Sequence, residues 1–159
     1  MPQAAAVVTT PTDREIRIER IFNAPRDAVW RAFTEPDMLA QWWCRGNRLD
    51  VVQLEVERGG HWRFVEHAPE GATGFEGRFR EVSPPERIVQ TFEWDGMPGY
   101  PSVESTTFRD LGDGRTKLEI VGQYMSAEER DGMLDSGMEA GMNLSYEALD
   151  RLLASMDAG

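Results

Sequence analysis

The sequence of this 159-residue chain predicts an α+β fold, in which an antiparallel sheet of about seven strands is covered by a long C-terminal helix. Three observations predict it. Apolar and polar residues alternate through residues 49–122, which is the pattern of half-buried strands. Short turn sequences such as 58–60 and 113–114 interrupt this region, which favours antiparallel hairpins. Through residues 126–156 the apolar spacing changes to three and four residues, so a helix there can cover the sheet.

The N-terminal third contains one strand and two short helices. Residues 1–13 lack periodicity, and we interpret them as a flexible tail before a single domain over residues 14–156. A strand follows, with alternating apolar residues through 16–22. Residues 23–43 then take helical spacing, and Pro36 divides them into two short helices because proline restricts the residue before it.

Six further strands and the last helix complete the domain. The loop over 95–101 contains two glycines and two prolines, which suits a shaped connection better than a minimal hairpin turn. Ser126 and Glu129 form a capping-box pattern at the start of the last helix, which is predicted as one element over 126–156. The six strands are predicted at 49–57, 60–67, 73–82, 87–94, 102–110 and 115–122.

The composition excludes several classes of function. Asp and Glu outnumber Lys and Arg by 28 to 17, a formal charge of -11, which argues against binding nucleic acid or an anionic membrane. With one cysteine, Cys44, and two histidines, the chain has no Cys-rich zinc site, and we predict no metal and no cofactor. No apolar run approaches the roughly 20 residues that span a bilayer, and the first residues do not resemble a signal peptide. We therefore expect a cytoplasmic protein without membrane insertion.

The inner face of the predicted sheet combines large aromatic residues with polar ones. Buried polar groups need partners or a wet cavity, because burying them bare costs several kcal/mol. The helix opposite is unusually small, with Gly137 and Gly141, which leaves room for a pocket between sheet and helix. Close packing of a plain core explains the same pattern. The inward polar residues are Glu66, Gln90, Glu104 and Thr106.

Glu66 and Glu104 are the one acid pair that could carry catalysis. If both line an apolar pocket, burial and mutual repulsion would raise at least one pKa, which suits general acid–base chemistry. Arginine side chains at the pocket mouth could instead neutralise both. His61 and His67 share the outer face of one strand, and Cys44 has no histidine nearby in sequence to activate it.

Several sequence blocks resemble a known family. They are Ala24–Pro25, Val29–Thr34, Pro36, Leu39, Trp42–Trp43, Gly59–Phe64, Gly77–Val89, Gly114–Leu118 and Leu149–Leu152. These blocks are similar to the START and Bet v 1-like superfamily, also called SRPBCC. Within it, they look like the bacterial branch named after the C-terminal domain of the heat-shock-protein ATPase activator. The resemblance implies a helix-grip fold, in which a curved sheet wraps around the C-terminal helix over a hydrophobic cavity.

The resemblance implies a binding function without fixing a reaction, since the superfamily has no universal catalytic motif. Our first hypothesis is a binding protein for a small hydrophobic molecule that is lipid-, polyketide- or aromatic-like. The second is a cyclase or hydrolase that uses Glu66 or Glu104, and the third is a co-chaperone that stimulates a heat-shock ATPase. Exposed edges of the sheet could also pair with a second copy, so a homodimer is a further possibility. The ligand-binding residues predicted on these grounds are Trp42, Trp62, Phe64, Glu66, Phe75, Phe79, Gln90, Phe92, Trp94, Glu104, Phe108, Met138 and Met142.

Overall fold

The computed structural model describes residues 5–44 and 46–158, which contain eight strands and four helices. In chain order they are β1 (Val7–Thr9), β2 (Glu15–Phe22), α1 (Arg26–Thr34), α2 (Pro36–Trp42), β3 (Arg48–Leu54), β4 (His61–Ala68), β5 (Gly71–Ser83), β6 (Arg87–Trp94), β7 (Ser102–Asp110), β8 (Thr116–Gln123), α3 (Ala127–Asp135) and α4 (Met138–Ala158). The predicted α+β class is confirmed.

All eight strands form one open antiparallel sheet in the order β1-β2-β8-β7-β6-β5-β4-β3. From β3 onward each strand pairs with the next one along the chain, because the connections are short turns. The helices α1 and α2 carry the chain from β2 to the far edge, so that the meander ends with β8 beside β2. The two edges of the sheet are β1 and β3.

Two expectations about the ends of the domain are corrected. Residues 1–13 were expected as a flexible tail, but Val7–Thr9 pairs with β2 through the registers Val7↔Glu19 and Thr9↔Arg17. The rest of the tail expectation falls partly on residues 1–4, which lie outside the described residues. The predicted single helix over 126–156 is two helices, because Gly137 has a φ of +83°. That left-handed conformation ends one helix and is far easier for glycine than for other residues.

Helix α4 packs across the concave side of the sheet. Tyr146, Leu149 and Leu153 of α4 are buried in the same core as the inward residues of β2 and β8. The capping box at the start of α3 is present, since the Glu129 N–H donates to Ser126 Oγ over 3.2 Å. None of the helices in the described ranges is long and apolar enough to cross a membrane.

Candidate functional site

A cluster of aromatic rings covers the inner face of β4, β5 and β6. The Trp43 ring, which follows α2, contacts Phe64 and Phe75 at centroid distances of 5.1 Å each. Phe75 also contacts Phe92 at 5.6 Å. Phe64 is buried, whereas Trp43, Phe75 and Phe92 keep part of their surface accessible. The cluster therefore presents ring surface on the concave side of the sheet.

Glu104 lies beside this cluster on the inner face of β7. It pairs in register with Gln90 on β6 and with Gly122 on β8. Phe92, two residues after Gln90 on β6, is the diagonal neighbour of Glu104, since residues two apart in a strand share a face. Within the described ranges, no side chain or backbone group forms a hydrogen bond with the Glu104 carboxyl group. Burial raises the pKa of Glu104 to about 7, because the charged carboxylate loses its hydration.

Two tyrosine hydroxyl groups complete this region. A Cβ atom on Gly122 would lie 3.4 Å from the hydroxyl of Tyr124, so that ring covers the space left by the glycine beside Glu104. Burial and the charge of Glu104 raise the pKa of both Tyr124 and Tyr146, which keeps both phenols neutral at physiological pH. Neither hydroxyl forms a hydrogen bond with another described residue. We call Phe75, Phe92, Glu104, Tyr124 and Tyr146 together the interior site.

The interior site adjoins a buried ion pair. Arg20 on β2 is 5% exposed, and its two terminal nitrogens donate to the carboxylate of Asp150 on α4 over 2.7 Å each. Its guanidinium also lies over the ring of Phe22, 4.6 Å from the centroid, and 5.7 Å from that of Tyr146. The charge of Arg20 is therefore matched by Asp150, and the pair ties the strand to the helix.

Glu66, the other acid of the predicted pair, lies on a different part of the sheet from Glu104. It is 3% exposed on β4, and Asn47 Nδ2 donates to its carboxylate over 2.7 Å. Strands β5 and β6 lie between the two acids, which separates them by three strand spacings, roughly 14 Å along the sheet. Burial is the cause of the raised pKa of Glu104. The two acids therefore lie on strands that are not neighbours in the sheet.

The other predicted site residues divide into core, wall and surface. Trp42 and Phe108 belong to the core, where Phe33 contacts the two rings at 4.7 and 5.2 Å. Trp62 is 1% exposed, and its indole N–H donates to the Thr91 carbonyl oxygen. Phe64 and Phe79 are also buried, while Gln90, Met138 and Met142 are half-buried.

Trp94 departs from its predicted position. It was expected inside the pocket, but it is 41% exposed at the end of β6, where its indole N–H donates to Thr73 Oγ over 2.6 Å. The alternating pattern of β6 correctly places Trp94 on the inner face. However, β6 ends at Trp94, and the ring stays exposed there. The nearby loop also exposes Met97 and Tyr100.

The outer face of the sheet carries a groove near the end of β6. It has a volume of about 440 Å³ and is lined by residues that include Arg63, Gly74 and Asp95. Arg63 already donates to Asp95 over 3.2 and 2.7 Å, and a Cβ atom on Gly74 would clash with that pair. The charged groups of this groove therefore satisfy one another.

The outer histidines and Cys44 are likewise engaged. The His61 ring contacts Gln53 and Glu76 at 2.7 and 3.1 Å, and His67 contacts Asp50 at 2.8 Å. Cys44 is buried and contacts the carbonyl oxygen of Asn47. Within the described part of the chain, no group of three or more acidic, histidine or cysteine residues is arranged to hold a metal ion.

Sequence reasoning missed three residues of this region. Arg20 is two residues from each of the inward residues Ile18 and Phe22 on β2, so the alternating pattern alone could have placed it on the inner face. Tyr146 falls on the apolar face of α4, four residues from Met142 and three from Leu149. Tyr124 follows the last strand and has no periodic signal, so only the fold reveals its place beside Gly122.

Comparison with known proteins assigns the family. A family model described as "Activator of Hsp90 ATPase homolog 1-like protein" matches residues 23–154. The chain belongs to this family. No curated protein matches the chain.

Several solved structures have the same fold as this chain. A protein from Rhodobacter sphaeroides is 27% identical with a TM-score of 0.86, and the match covers 94% of this chain and 98% of that one. A protein from Chromobacterium violaceum is 28% identical with a TM-score of 0.77, covering 89% and 98%. An HSP90 activator from Plasmodium falciparum is 19% identical with a TM-score of 0.57, covering 77% and 88%, a likeness of fold alone. The resemblance to the SRPBCC superfamily and the predicted helix-grip fold are confirmed.

Proposed function

We propose that this member of the Hsp90 ATPase activator homolog 1-like family binds a small hydrophobic molecule at the interior site, between the sheet and α4. One observation carries the proposal. Glu104 faces the interior beside accessible aromatic rings, and no described residue satisfies its carboxyl group. Glu104 is half-buried, and a hydrogen bond to a charged group contributes about 1.5–3 kcal/mol, which a ligand with one polar donor would gain here.

The aromatic rings supply the apolar part of the proposed site. Burying a ligand ring against Phe75 and Phe92 removes apolar surface from water, at about 25 cal/mol per Å². Polar groups that are few and convergent then fix the orientation of a ligand in an apolar pocket. Glu104 and Tyr124 are such groups, since Gly122 is the register partner of Glu104 and a Cβ atom on it would lie 3.4 Å from the Tyr124 hydroxyl.

A ligand panel tests the proposal. Neutral aromatic and aliphatic molecules should quench or shift the tryptophan fluorescence and raise the melting temperature, because ligands that bind only the folded state stabilise it. The Gly122→Ala variant adds a methyl group beside Glu104 at ordinary contact distance from Tyr124. It should weaken binding several-fold and leave the melting temperature of the free protein nearly unchanged. If the panel perturbs neither signal, the binding proposal fails.

A catalytic role is the second candidate, and the pKa of Glu104 favours it. A carboxyl group with a pKa of about 7 is poised to give or take a proton at neutral pH. The reaction would be of the cyclase or hydrolase type on a polyketide-like substrate. Glu104→Gln should then abolish turnover and leave substrate affinity nearly intact. Equal loss of both would count against catalysis.

Stimulation of a heat-shock ATPase is the third candidate, and it rests on the family description. The acidic surface implied by a charge of -11 would dock on a basic patch of the chaperone. Adding the protein to a bacterial heat-shock ATPase should raise its ATP turnover if this role is real. Unchanged turnover at saturating protein would remove it.

Location and assembly are proposed with the same function. A chain with one cysteine forms no internal disulfide, which is usual for the cytoplasm, and cell fractionation would test that location. The exposed edges β1 and β3 offer backbone groups for pairing with a second copy. Sedimentation at micromolar concentration would distinguish a homodimer from a monomer.

A further inference from the structure

We propose that the ligand of the interior site is a hydrophobic amine in its protonated form, whose ammonium group pairs with the Glu104 carboxylate. This inference rests on the proposed binding function and narrows it to one chemical class. It follows from the charges that face Glu104, the rings beside it and the hydrogen-bonding groups around it.

The charges around the interior site leave one negative group unmatched. Arg20 on β2 is held by both oxygens of Asp150 on α4, so its charge is already compensated. Tyr124 and Tyr146 are neutral, and Gln90 on β6 carries no charge. No cation among the described residues forms an ion pair with Glu104. A ligand cation would supply the missing partner, whereas a fatty acid would bring a second negative charge against it.

The rings beside Glu104 favour a cation as well. Phe92 is the diagonal neighbour of Glu104, and its ring packs against Phe75 with an interplanar angle of 35°. Both rings keep part of their surface accessible. The face of an aromatic ring carries negative potential, so an ammonium near Phe92 is attracted by the ring and by the carboxylate together.

The polar groups also fit an ammonium group. An ammonium has three N–H donors and no acceptor, and it needs three acceptors when it is buried. Glu104 offers its two carboxylate oxygens, and the hydroxyl oxygen of Tyr124 can accept a further bond. That hydroxyl lies beside Gly122, the register partner of Glu104, and no hydrogen bond joins it to the carboxyl group. These three oxygens are the acceptors that an ammonium group at this place would use.

Three matched ligands test this inference by calorimetry: 2-naphthylmethylamine, 2-naphthylmethanol and 2-naphthoic acid. They share the same ring system and differ in the polar group. At pH 8 the amine should bind at least about tenfold more tightly than the alcohol, which is the lower end of what a charge-assisted hydrogen bond contributes. The acid should bind more weakly than the alcohol. Glu104→Gln should remove the preference for the amine, and Glu147→Gln, at an exposed position on α4, should keep it.

The pH dependence gives a second readout. The amine stays protonated from pH 6 to pH 8, while the ionised fraction of a carboxyl group with a pKa of about 7 rises about tenfold. The affinity for the amine should therefore rise up to about tenfold over this interval, and the affinity for the alcohol should stay flat. Both histidines lie on the outer face, and the alcohol and the Glu104→Gln variant correct for any contribution from them.

The possible outcomes test the amine assignment and the proposed binding function separately. Equal binding of amine and alcohol, or an amine preference that survives Glu104→Gln, overturns the amine assignment and leaves hydrophobic binding intact. Tightest binding by the acid does the same. If none of the three binds, the amine assignment is wrong, and the broader neutral panel then decides the binding function. If Glu104→Gln fails to fold, Phe92→Leu replaces it and should weaken the amine more than the alcohol.

Discussion

Glu104 should destabilise the ligand-free protein at neutral pH, and Glu104→Gln should relieve that cost. The fold raises its pKa from 4.5 to about 7, so the protonated form is the one that the folded state favours. The contribution of this group to stability is complete below pH 4.5 and is lost as the pH rises through 7. At 1.36 kcal/mol per unit, the full cost above pH 7 is about 3 kcal/mol.

Urea denaturation of the wild-type protein and Glu104→Gln at pH 5.5 and pH 8 measures this cost. The free-energy advantage of the variant should be about 1 kcal/mol at pH 5.5 and about 3 kcal/mol at pH 8, a rise of about 2 kcal/mol. The lower limit of pH 5.5 stays above the isoelectric point near 4.6, where solubility is poorest. Glu147→Gln should show no such rise. An advantage that is equal at both pH values would refute the burial of Glu104 in the free protein.

Three further predictions concern stability and can be measured by the same urea denaturation. Asp150→Asn leaves Arg20 buried without its anion and should cost about 2 kcal/mol or more, whereas a loss below about 0.5 kcal/mol would mean that water already satisfies the arginine. Gly137→Ala places a side chain in the left-handed region and should cost about 1 kcal/mol, while Gly132→Ala in α3, with open space around its Cβ, should gain up to about 1 kcal/mol. A gain at both positions would argue for one continuous helix. Gly77→Ala should prevent folding or lower the melting temperature strongly, because its Cβ would overlap the β6 backbone, and a neutral result would contradict this packing.

The sequence predicted the order of elements well because the signals are local. Strict alternation and turn residues located the strands from β3 to β8, and these signals depend on neighbouring residues alone. The short strand β1 was missed because Val7–Thr9 is too short for periodicity and gains its stability from pairing with β2. The break before α4 was missed because Gly137 is compatible with both a helix interior and a left-handed terminus.

The site was harder to predict than the fold, since it depends on contacts between distant strands. Alternation correctly turned Glu66 and Glu104 inward, but it could not show that β5 and β6 separate them. The sequence also placed Trp42 and Phe108 in the pocket wall, although both rings pack against Phe33 of α1 in the core. Distinguishing a ring in the core from a ring at a site requires knowing what lies opposite, and a single strand pattern does not contain that information.

A ¹H–¹⁵N spectrum of the five tryptophan indoles, recorded during titration with the tightest-binding member of the ligand panel, tests binding at the interior site most directly. Trp43 contacts Phe75 at the interior site, whereas Trp30 of α1 packs against the buried Phe108, with a centroid distance of 5.2 Å. We predict a saturable shift of the Trp43 signal and an unchanged Trp30 signal. In Gly122→Ala, the affinity determined from the Trp43 shift should be several-fold weaker. A shift confined to the exposed Trp94, or no shift of any indole, would contradict binding at the interior site.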